Sequence, residues 1–527
     1  MYARKKTFTN KDGSKRTYLQ LVESVRENGK VRQKVVANLG RLEDLQEKKL
    51  DQAIESLAKF SKANWVRSEA AKLMVKSARE WGSDLIFGQL WERLGLSSIL
   101  TRLLAETEIA SPLDEAIYAM VLNRVCDPLS KRAVYKWISE IYRPSFDQLE
   151  LQHFYRGLDF LIDHKETIEN ALFSETRSLF NMQLDMVFWD STSTYFEGVG
   201  PDGLADYGHS KDHRPDRTQI VVGLLMTREG IPIAHQVFPG NMADIDTFKE
   251  AIKDVRDRFM LRRVIFVADR GMVSPQLLDE LDLAHIEYIV GVKMRRSSAV
   301  KAVLKTGGRY RIVKKNLQVK EVWHEVDRYI VCYNPEEAKR DRLVREEMVR
   351  KLEAKLQSDG PKSLIGNRGY RRYLKVDKTQ AVIDQKVLKE EARYDGKYVL
   401  RTNSALSSDE AATAYKELWR VEQAFRELKS TLDLRPVYHW KDRRVRAHVM
   451  VCFLALVLES ALQRSLKLAK SQVEYTQLIR DLQQLRAVEL TLDDQTYLCR
   501  TELPGNAYEA FRVLGIRPPQ HVTPTNR

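Results

Sequence analysis

Asp190, Asp269 and Glu422 are the side chains of this 527-residue chain whose types and surroundings could do chemistry together. Asp190 follows the apolar run MVFW (186–189) and Asp269 follows VIFVA, so each carboxylate is expected at or near the end of a buried strand, where open α/β sheets place their ligands. Either aspartate alone reads more simply as a turn cap, and the pair needs a third partner. Glu422 supplies it. At about 100° per residue, Ala414, Leu418, Val421, Phe425, Leu428 and Leu432 form one apolar stripe on a helix expected from about Ser408 to Leu432. Tyr415, Glu422 and Lys429 recur every seven residues along the edge of that stripe, with Arg426 close by. A solvated face would explain the charges but not a tyrosine and a glutamate at the buried margin.

Three carboxylates from separate elements can hold one or two Mg²⁺ or Mn²⁺ ions, about 3.5–4 Å apart in two-metal sites, which activate a water or a 3′-hydroxyl and stabilise the leaving oxygen of an in-line displacement. Arg426 and Lys429 would then hold nucleic-acid phosphates while Tyr415 contacts a phosphate or a base. The chemistry expected is phosphoryl transfer on DNA.

The elements that must position these groups follow from hydrophobic periodicity. Residues 1–75 read as a small basic module: alternation in YLQLVESV and GKVRQKVVANLG suggests two or three strands, with a helix from about Leu42. From 76 to 180 the spacing is helical, which suggests a domain for DNA binding or dimerisation. At 186 the period changes to short strand-length runs: 186–189, 219–226, 231–238, 263–268 and 286–292. The turn TREG, with Gly230 supplying positive φ, makes a hairpin of the second and third, and Ser274-Pro275 starts a helix between the last two. The order predicts an α/β core over 181–292, with three antiparallel strands first and parallel crossovers after. Residues 293–395 break this order and read as a basic, strand-rich insertion with a turn at Gly307-Gly308 and a charged helix near 335–357. The core resumes over 396–470 with the strand YVLRT (398–402), and 471–527 reads as a helical segment and tail.

Composition bounds the partner. Lys and Arg number 87 against 73 Asp and Glu, a formal net charge of +14 and a pI near 9.3, which favours a polyanion. The excess is clustered: residues 1–40 carry ten Lys/Arg and three acids, and residues 291–320 carry ten Lys/Arg and no acid. Four cysteines at 126, 332, 452 and 499 form no CxxC pair and fit neither a disulfide framework nor a zinc ribbon, as in a reducing cytoplasm. The start MYARKKTFTN has no apolar signal core, and the longest apolar run, Val449 to Leu458, covers half a bilayer, so no membrane segment is expected.

The motifs carry a resemblance. WDSTSTYFEG (189–198), ADRGMVS (268–274) and YKELWRVEQAFRELK (415–429) resemble the three acidic motifs of the DDE transposases of bacterial insertion sequences. The third is similar to the tyrosine, glutamate and lysine signature of the IS-four superfamily. FPGNMADIDTF (238–248) and LRPVYHWKDRRVRAHVMVCFLAL (434–456) resemble flanking segments of its IS-sixteen-thirty-four group. The resemblance spans roughly 185–460 and implies a ribonuclease-H-like catalytic core interrupted by a β-rich insertion before the glutamate helix; the helical N-terminal domain and the small basic module read above from periodicity stand ahead of it. It also implies magnesium-dependent cleavage and transfer of double-stranded DNA, element ends and target, in a homodimeric synaptic complex associated with the nucleoid. The arginine expected three residues after the signature tyrosine is Leu418, and Arg426 is the substitute nearest in position, because Arg420 projects about 160° from Glu422.

Further candidates are weaker. Trp323, the single tryptophan between 293 and 395, is a candidate to stack on a displaced base, against ordinary core packing. Arg443, Arg444 and Arg446 are candidates to track DNA, with helix solvation as the plain alternative. Asn241 and His213 reach the neighbourhood of the site but are explained by turn and loop chemistry. Two competing functions use the same residues: a metal-dependent DNA nuclease without strand transfer, and a DNA-binding protein derived from a transposase. The second predicts loss of an acid, and all three acids are intact.

Overall fold

A computed structural model describes residues 1–27, 30–45, 49–50, 52, 54, 56, 73–180, 186–259, 264–358, 373–376, 381–435, 437–492 and 495–525. Most of the helix expected from Leu42, and the first residue of the strand expected at 263, lie outside the described residues. The chain forms two compact units, Met1–Ala78 with Val488–Arg500 and Pro519–Arg527, and Arg79–Ala487 with Thr501–Pro518.

The first unit holds a meander of β1 (Tyr2–Thr9), β2 (Lys15–Glu27) and β3 (Lys30–Arg41). It is the sheet read from the alternation, with bulges at Val36 and Leu39 of β3. A second sheet joins β4 (Met74–Glu80) to three C-terminal strands, Arg486–Leu492, Gln495–Arg500 and Val522–Pro524, with the first of these beside β4, the second beside the first and the third at the far edge. The charged, weakly alternating sequence around 486–500 had suggested only a helix and a tail there.

The second unit opens with helices α1 (Gly82–Arg93), α2 (Leu96–Ala105), α3 (Leu113–Cys126), α4 (Lys131–Trp137), α5 (Leu151–Asp163) and α6 (Lys165–Phe180). They share one core with the sheet that follows. That sheet has nine strands in the order β10-β11-β12-β15-β9-β8-β5-β6-β7. β5 (Met186–Tyr195), β6 (Gln219–Thr227) and β7 (Pro232–Pro239) are antiparallel, and Gly230 at φ 86° closes the hairpin between β6 and β7. After α7 (Asp244–Phe259), β8 (Ile265–Ala268) pairs parallel with β5. After α8 (Pro275–Leu283), β9 (Glu287–Gly291) pairs parallel with β8. Ser274 caps α8 by accepting the Leu277 N–H at 3.2 Å, with Pro275 in the first turn, the start read from the sequence.

α9 (Ser298–Lys305), β10 (Arg311–Lys314), β11 (Leu317–His324), β12 (Asp327–Tyr333) and α10 (Pro335–Ser358) follow. β10, β11 and β12 do not stand apart; they extend the same sheet through β15 (Lys397–Thr402). Val319, Ile330, Val331 and Leu400 are buried along this extension, so its strands complete the apolar faces of the core.

Beyond β15 stand α11 (Ser408–Lys416), α12 (Trp419–Ser430) and α13 (Asp442–Leu468), with α14 (Tyr475–Gln484) after them. Ser407 and Glu410 form a capping box at the start of α11. By length and composition α13 could cross a membrane, but 89% of its most apolar window is buried inside the protein. It is the central core helix, packed on α3, α5, α12 and β7.

Candidate active site

Met186, Val187 and Phe188 of β5 lie opposite Ile265, Phe266 and Val267 of β8. Asp190 and Asp269 each come two residues after the last of these pairs. Because neighbouring strands lie about 4.8 Å apart, this register brings the two carboxylate-bearing segments together, near enough for the charge of Asp269 to act on Asp190. The two differ in one respect from expectation. Asp269 is the first residue beyond β8, whereas β5 runs on to Tyr195 because β6 continues to pair with it as far as Gln219. Asp190 is therefore inside its strand, at the end only of the stretch shared with β8.

The surroundings of Asp190 are charged. Its Oδ1 accepts the Ser191 N–H at 2.7 Å. Lys211, from the loop between β5 and β6, places Nζ 4.0 Å from Asp190 Oδ1 and 3.3 Å from Asp244 Oδ1, and donates to the Ser191 carbonyl at 2.6 Å. The Ser191 hydroxyl donates to Asp244 Oδ1 at 2.8 Å. Burial pushes the Asp190 carboxyl up to about 6; Lys211 pulls it down, and Asp269 and Asp244 add to the rise.

Asp269 is held from the other side, where the Tyr415 hydroxyl donates to its Oδ1 at 2.8 Å. Burial, and then the charge of Asp269, keep that phenol protonated. The Tyr415 ring stacks on Tyr398 with centroids 5.7 Å apart. Gly291 at the end of β9 makes the approach possible, because a Cβ there would overlap the phenol oxygen.

The apolar stripe from Ala414 to Leu432 is buried throughout, as its periodicity required. The helix carrying it is not continuous. At Glu417 and Leu418 the hydrogen bonds shorten to a three-residue span, from Glu417 N to Ala414 O at 2.8 Å and from Leu418 N to Tyr415 O at 3.2 Å. The physical reason is that the two halves pack on different strands: α11 lies on β9, β11, β12 and β8, and α12 on β5 and β6. The single line of Tyr415, Glu422, Arg426 and Lys429 expected on one helix is thus divided, with Tyr415 on α11 and the others on α12.

Glu422 sits in the first turn of α12, exposed, and enters no hydrogen bond or ion pair among the described residues. Arg426 is exposed beside it. Lys429 is largely buried and donates to Asp212 Oδ1 at 2.8 Å. No three His, Cys, Asp or Glu side chains among the described residues stand close enough to hold a metal together. The two aspartates nonetheless offer the hard oxygen donors that Mg²⁺ prefers, and the helix carrying Glu422 packs on the strand carrying Asp190.

The weaker candidates divide. Trp323 lies at the tip of the β11–β12 hairpin, 63% exposed, with Nε1 donating to Glu321 Oε1 at 3.3 Å; ordinary core packing does not describe it. Arg443 and Arg444 are tied inside the protein. Arg444 grips Asp159 of α5 through two bonds of 2.7 Å and lies over the Tyr155 ring, and Arg443 pairs with Asp163 and donates to the Asp159 carbonyl. Arg446 donates to the Val237 carbonyl at 2.6 Å. Asn241 donates to Asp206 at 2.7 Å, and His213 is an exposed loop residue at φ 58°. Sequence reasoning missed Lys211, Asp212, Asp244, Gly291 and Arg435. Asp244 lies within the quoted segment FPGNMADIDTF, which is the one signal that could have found it.

Two family models match the chain. A family model described as "Transposase DDE domain" matches residues 183–458, more than half of the chain. A second, described as "IS1634 family transposase, N-terminal domain", matches residues 3–70. No curated protein matches the chain.

Proposed function

Because the chain belongs to the family of DDE transposases and carries an IS1634-type N-terminal domain, we propose that Asp190, Asp269 and Glu422 are its catalytic triad of carboxylates for cutting and rejoining DNA. The observation that supports this reading is the register of the parallel strands β5 and β8, whose last pair, Phe188 and Val267, stands two residues before Asp190 and Asp269. The core they stand on is read as ribonuclease-H-like. Its antiparallel β5-β6-β7 followed by parallel β8 and β9 supports that reading.

Asp190 and Asp269 would hold one or two divalent cations, magnesium or manganese, with Glu422 brought in from α12. Such ions supply positive charge for the phosphoryl oxygens and lower the cost of forming the nucleophile. The remaining work belongs to the chain. Tyr415 fixes the rotamer of Asp269 by its hydrogen bond. Arg426 and Lys429 on α12 take DNA phosphates, and Trp323, exposed on its hairpin, is the candidate to stack on an unpaired base. The basic meander at the N-terminus adds contacts along the duplex, and two copies pair the two element ends at the nucleoid. The internal ion pairs of Arg443 and Arg444 favour a structural role for those two side chains.

The test is to incubate the full chain with Mg²⁺ and duplex DNA carrying its element's ends. Joined products support the proposal, cuts without joining point to a nuclease, and a mobility shift without cuts points to a binding protein. Alanine at Asp190, Asp269 or Glu422 is expected to abolish cleavage while DNA binding survives. Cleavage retained by any of the three variants removes that residue from the site.

A further inference from the structure

The loop between β5 and β6 places two adjacent, oppositely charged residues at two functional positions. Lys211 sits among Asp190, Asp244 and Ser191. Asp212 turns the other way, into a cationic niche: its Oδ1 receives Lys429 Nζ at 2.8 Å and Arg435 Nη1 at 2.7 Å. The Asp212 side chain is only 6% exposed, and its second oxygen, Oδ2, is buried without a hydrogen-bond partner among the described residues. Two cations converging on one oxygen while the other lies idle is a poor use of a carboxylate, because an unpaired buried oxygen costs about 1–3 kcal/mol. A phosphodiester, whose single negative charge is shared by two non-bridging oxygens set wider apart on a tetrahedron, would suit the two cations better. Arg435 also lies over the ring of Tyr195, which ends the strand carrying Asp190. The niche therefore adjoins the strand that carries Asp190.

We propose that Lys211 and Asp212 are internal stand-ins for the two ligands of the site: Asp212 holds the place of a DNA backbone phosphate between Lys429 and Arg435, and Lys211 holds the place of a divalent cation between Asp190 and Asp244. Arg435 is then a phosphate-binding residue of the DNA complex. A phosphate entering the niche expels Asp212 and carries Lys211 away with it, since the two are joined by one peptide bond. The acids lose their internal cation at the moment DNA arrives. Metal and DNA thus bind cooperatively, and by linkage each raises the affinity of the other by the same factor. The bond count is conserved, because each internal ion pair is exchanged for one with a ligand. This inference rests on the metal and phosphate roles proposed above.

The experiment uses the full chain, a 30-base-pair duplex of arbitrary sequence read by fluorescence anisotropy, and Mn²⁺ read by calorimetry, so that no readout depends on catalysis. In the wild type, duplex is expected to raise Mn²⁺ affinity about tenfold, within the usual range of coupling between sites. Lys211→Gln is expected to raise Mn²⁺ affinity without DNA and to abolish that coupling. Asp212→Asn is expected to tighten duplex binding in EDTA severalfold, and Arg435→Gln to weaken it and flatten its salt slope by about one unit. Asp190→Asn separates the two levels of the argument. If Mn²⁺ binding survives Asp190→Asn, the metal role of that residue is wrong and this proposal falls with it. If Mn²⁺ binding needs Asp190 but is unmoved by Lys211→Gln, or if duplex binding ignores Asp212→Asn and Arg435→Gln, the loop proposal alone is overturned. The two loop variants and Arg435→Gln each keep a polar side chain and none removes an apolar core side chain, so native melting curves are the control.

Discussion

The hydroxyl of Tyr415 donates to Asp269 Oδ1 at 2.8 Å, across a gap that only a glycine at 291 leaves open. This bond orients one of the paired carboxylates and comes from a different helix than Glu422 does. Tyr415→Phe removes the donor without changing the ring stack on Tyr398. It is expected to lower cleavage about 10- to 100-fold, the usual cost of losing a group that orients a metal-binding side chain. Gly291→Ala, by displacing the phenol, is expected to match it. Cleavage assays beside thermal melts check this; a Phe variant with wild-type rate would show that Asp269 needs no such support.

Asp190 titrates abnormally, and the sign is informative. Its folded-state carboxyl lies at about 6 against an ordinary 3.8, so the native protein holds this proton more tightly than the unfolded chain. Stability from this group is present at low pH, falls as pH rises between those two values, and stays reduced above 6. Asp190→Asn is expected to stabilise the metal-free protein at pH 7.5 by on the order of 2 kcal/mol and to have little effect near pH 3.5. In the wild type, Mn²⁺ affinity is expected to weaken as pH drops below about 6, because the proton competes for the same oxygens. Denaturant melts at the two pH values decide the first point, and equal effects at both would refute the buried-carboxylate account.

Arg444 distinguishes a DNA contact from a structural tie. Its two bonds to Asp159 join the first turn of α13 to α5. Arg444→Ala is expected to cost about 1 kcal/mol, because the pair is bidentate but only partly shielded from water. The salt slope of DNA binding is expected to stay unchanged. A slope reduced by about one phosphate contact, with no loss of melting temperature, would reverse the assignment.

Glu459 lies 1% exposed on α13, where Gln463 donates to it at 3.1 Å and to Glu427 at 3.2 Å. Burial raises its carboxyl to about 8, with Glu427 adding to the rise and Gln463 opposing it. The folded value exceeds the unfolded one, so stability is fully present below about 4.5 and declines as pH rises through 8. Glu459→Gln is expected to match the wild type near pH 4.5 and to exceed it by about 2–4 kcal/mol near pH 9. Urea melts across that range test it. A pH dependence identical in both proteins would locate the titration elsewhere.

Much of the fold was legible in local pattern. The strand runs, the hairpin closed by Gly230 and the Ser274-Pro275 helix start depend on residues a few positions apart, and periodicity and capping chemistry report such short-range preferences directly. The buried stripe from Ala414 to Leu432 was read for the same reason. The break inside it was not, since Glu417 and Leu418 carry no glycine or proline signal and the kink arises because the two halves meet different strands.

What the sequence determined by itself is the set of three candidate acids, the separate elements that carry them and the strand periodicity ahead of two of them. Tertiary structure alone decided that β5 and β8 run in register up to two residues before Asp190 and Asp269, that Lys211 pairs with Asp244 and Asp212 with Lys429, that Gly291 clears a path for Tyr415, and that Arg444 is committed to Asp159. These relations join residues up to 285 positions apart. No local propensity encodes them, because they arise only when strand register and helix packing bring distant backbone segments within reach of one side chain.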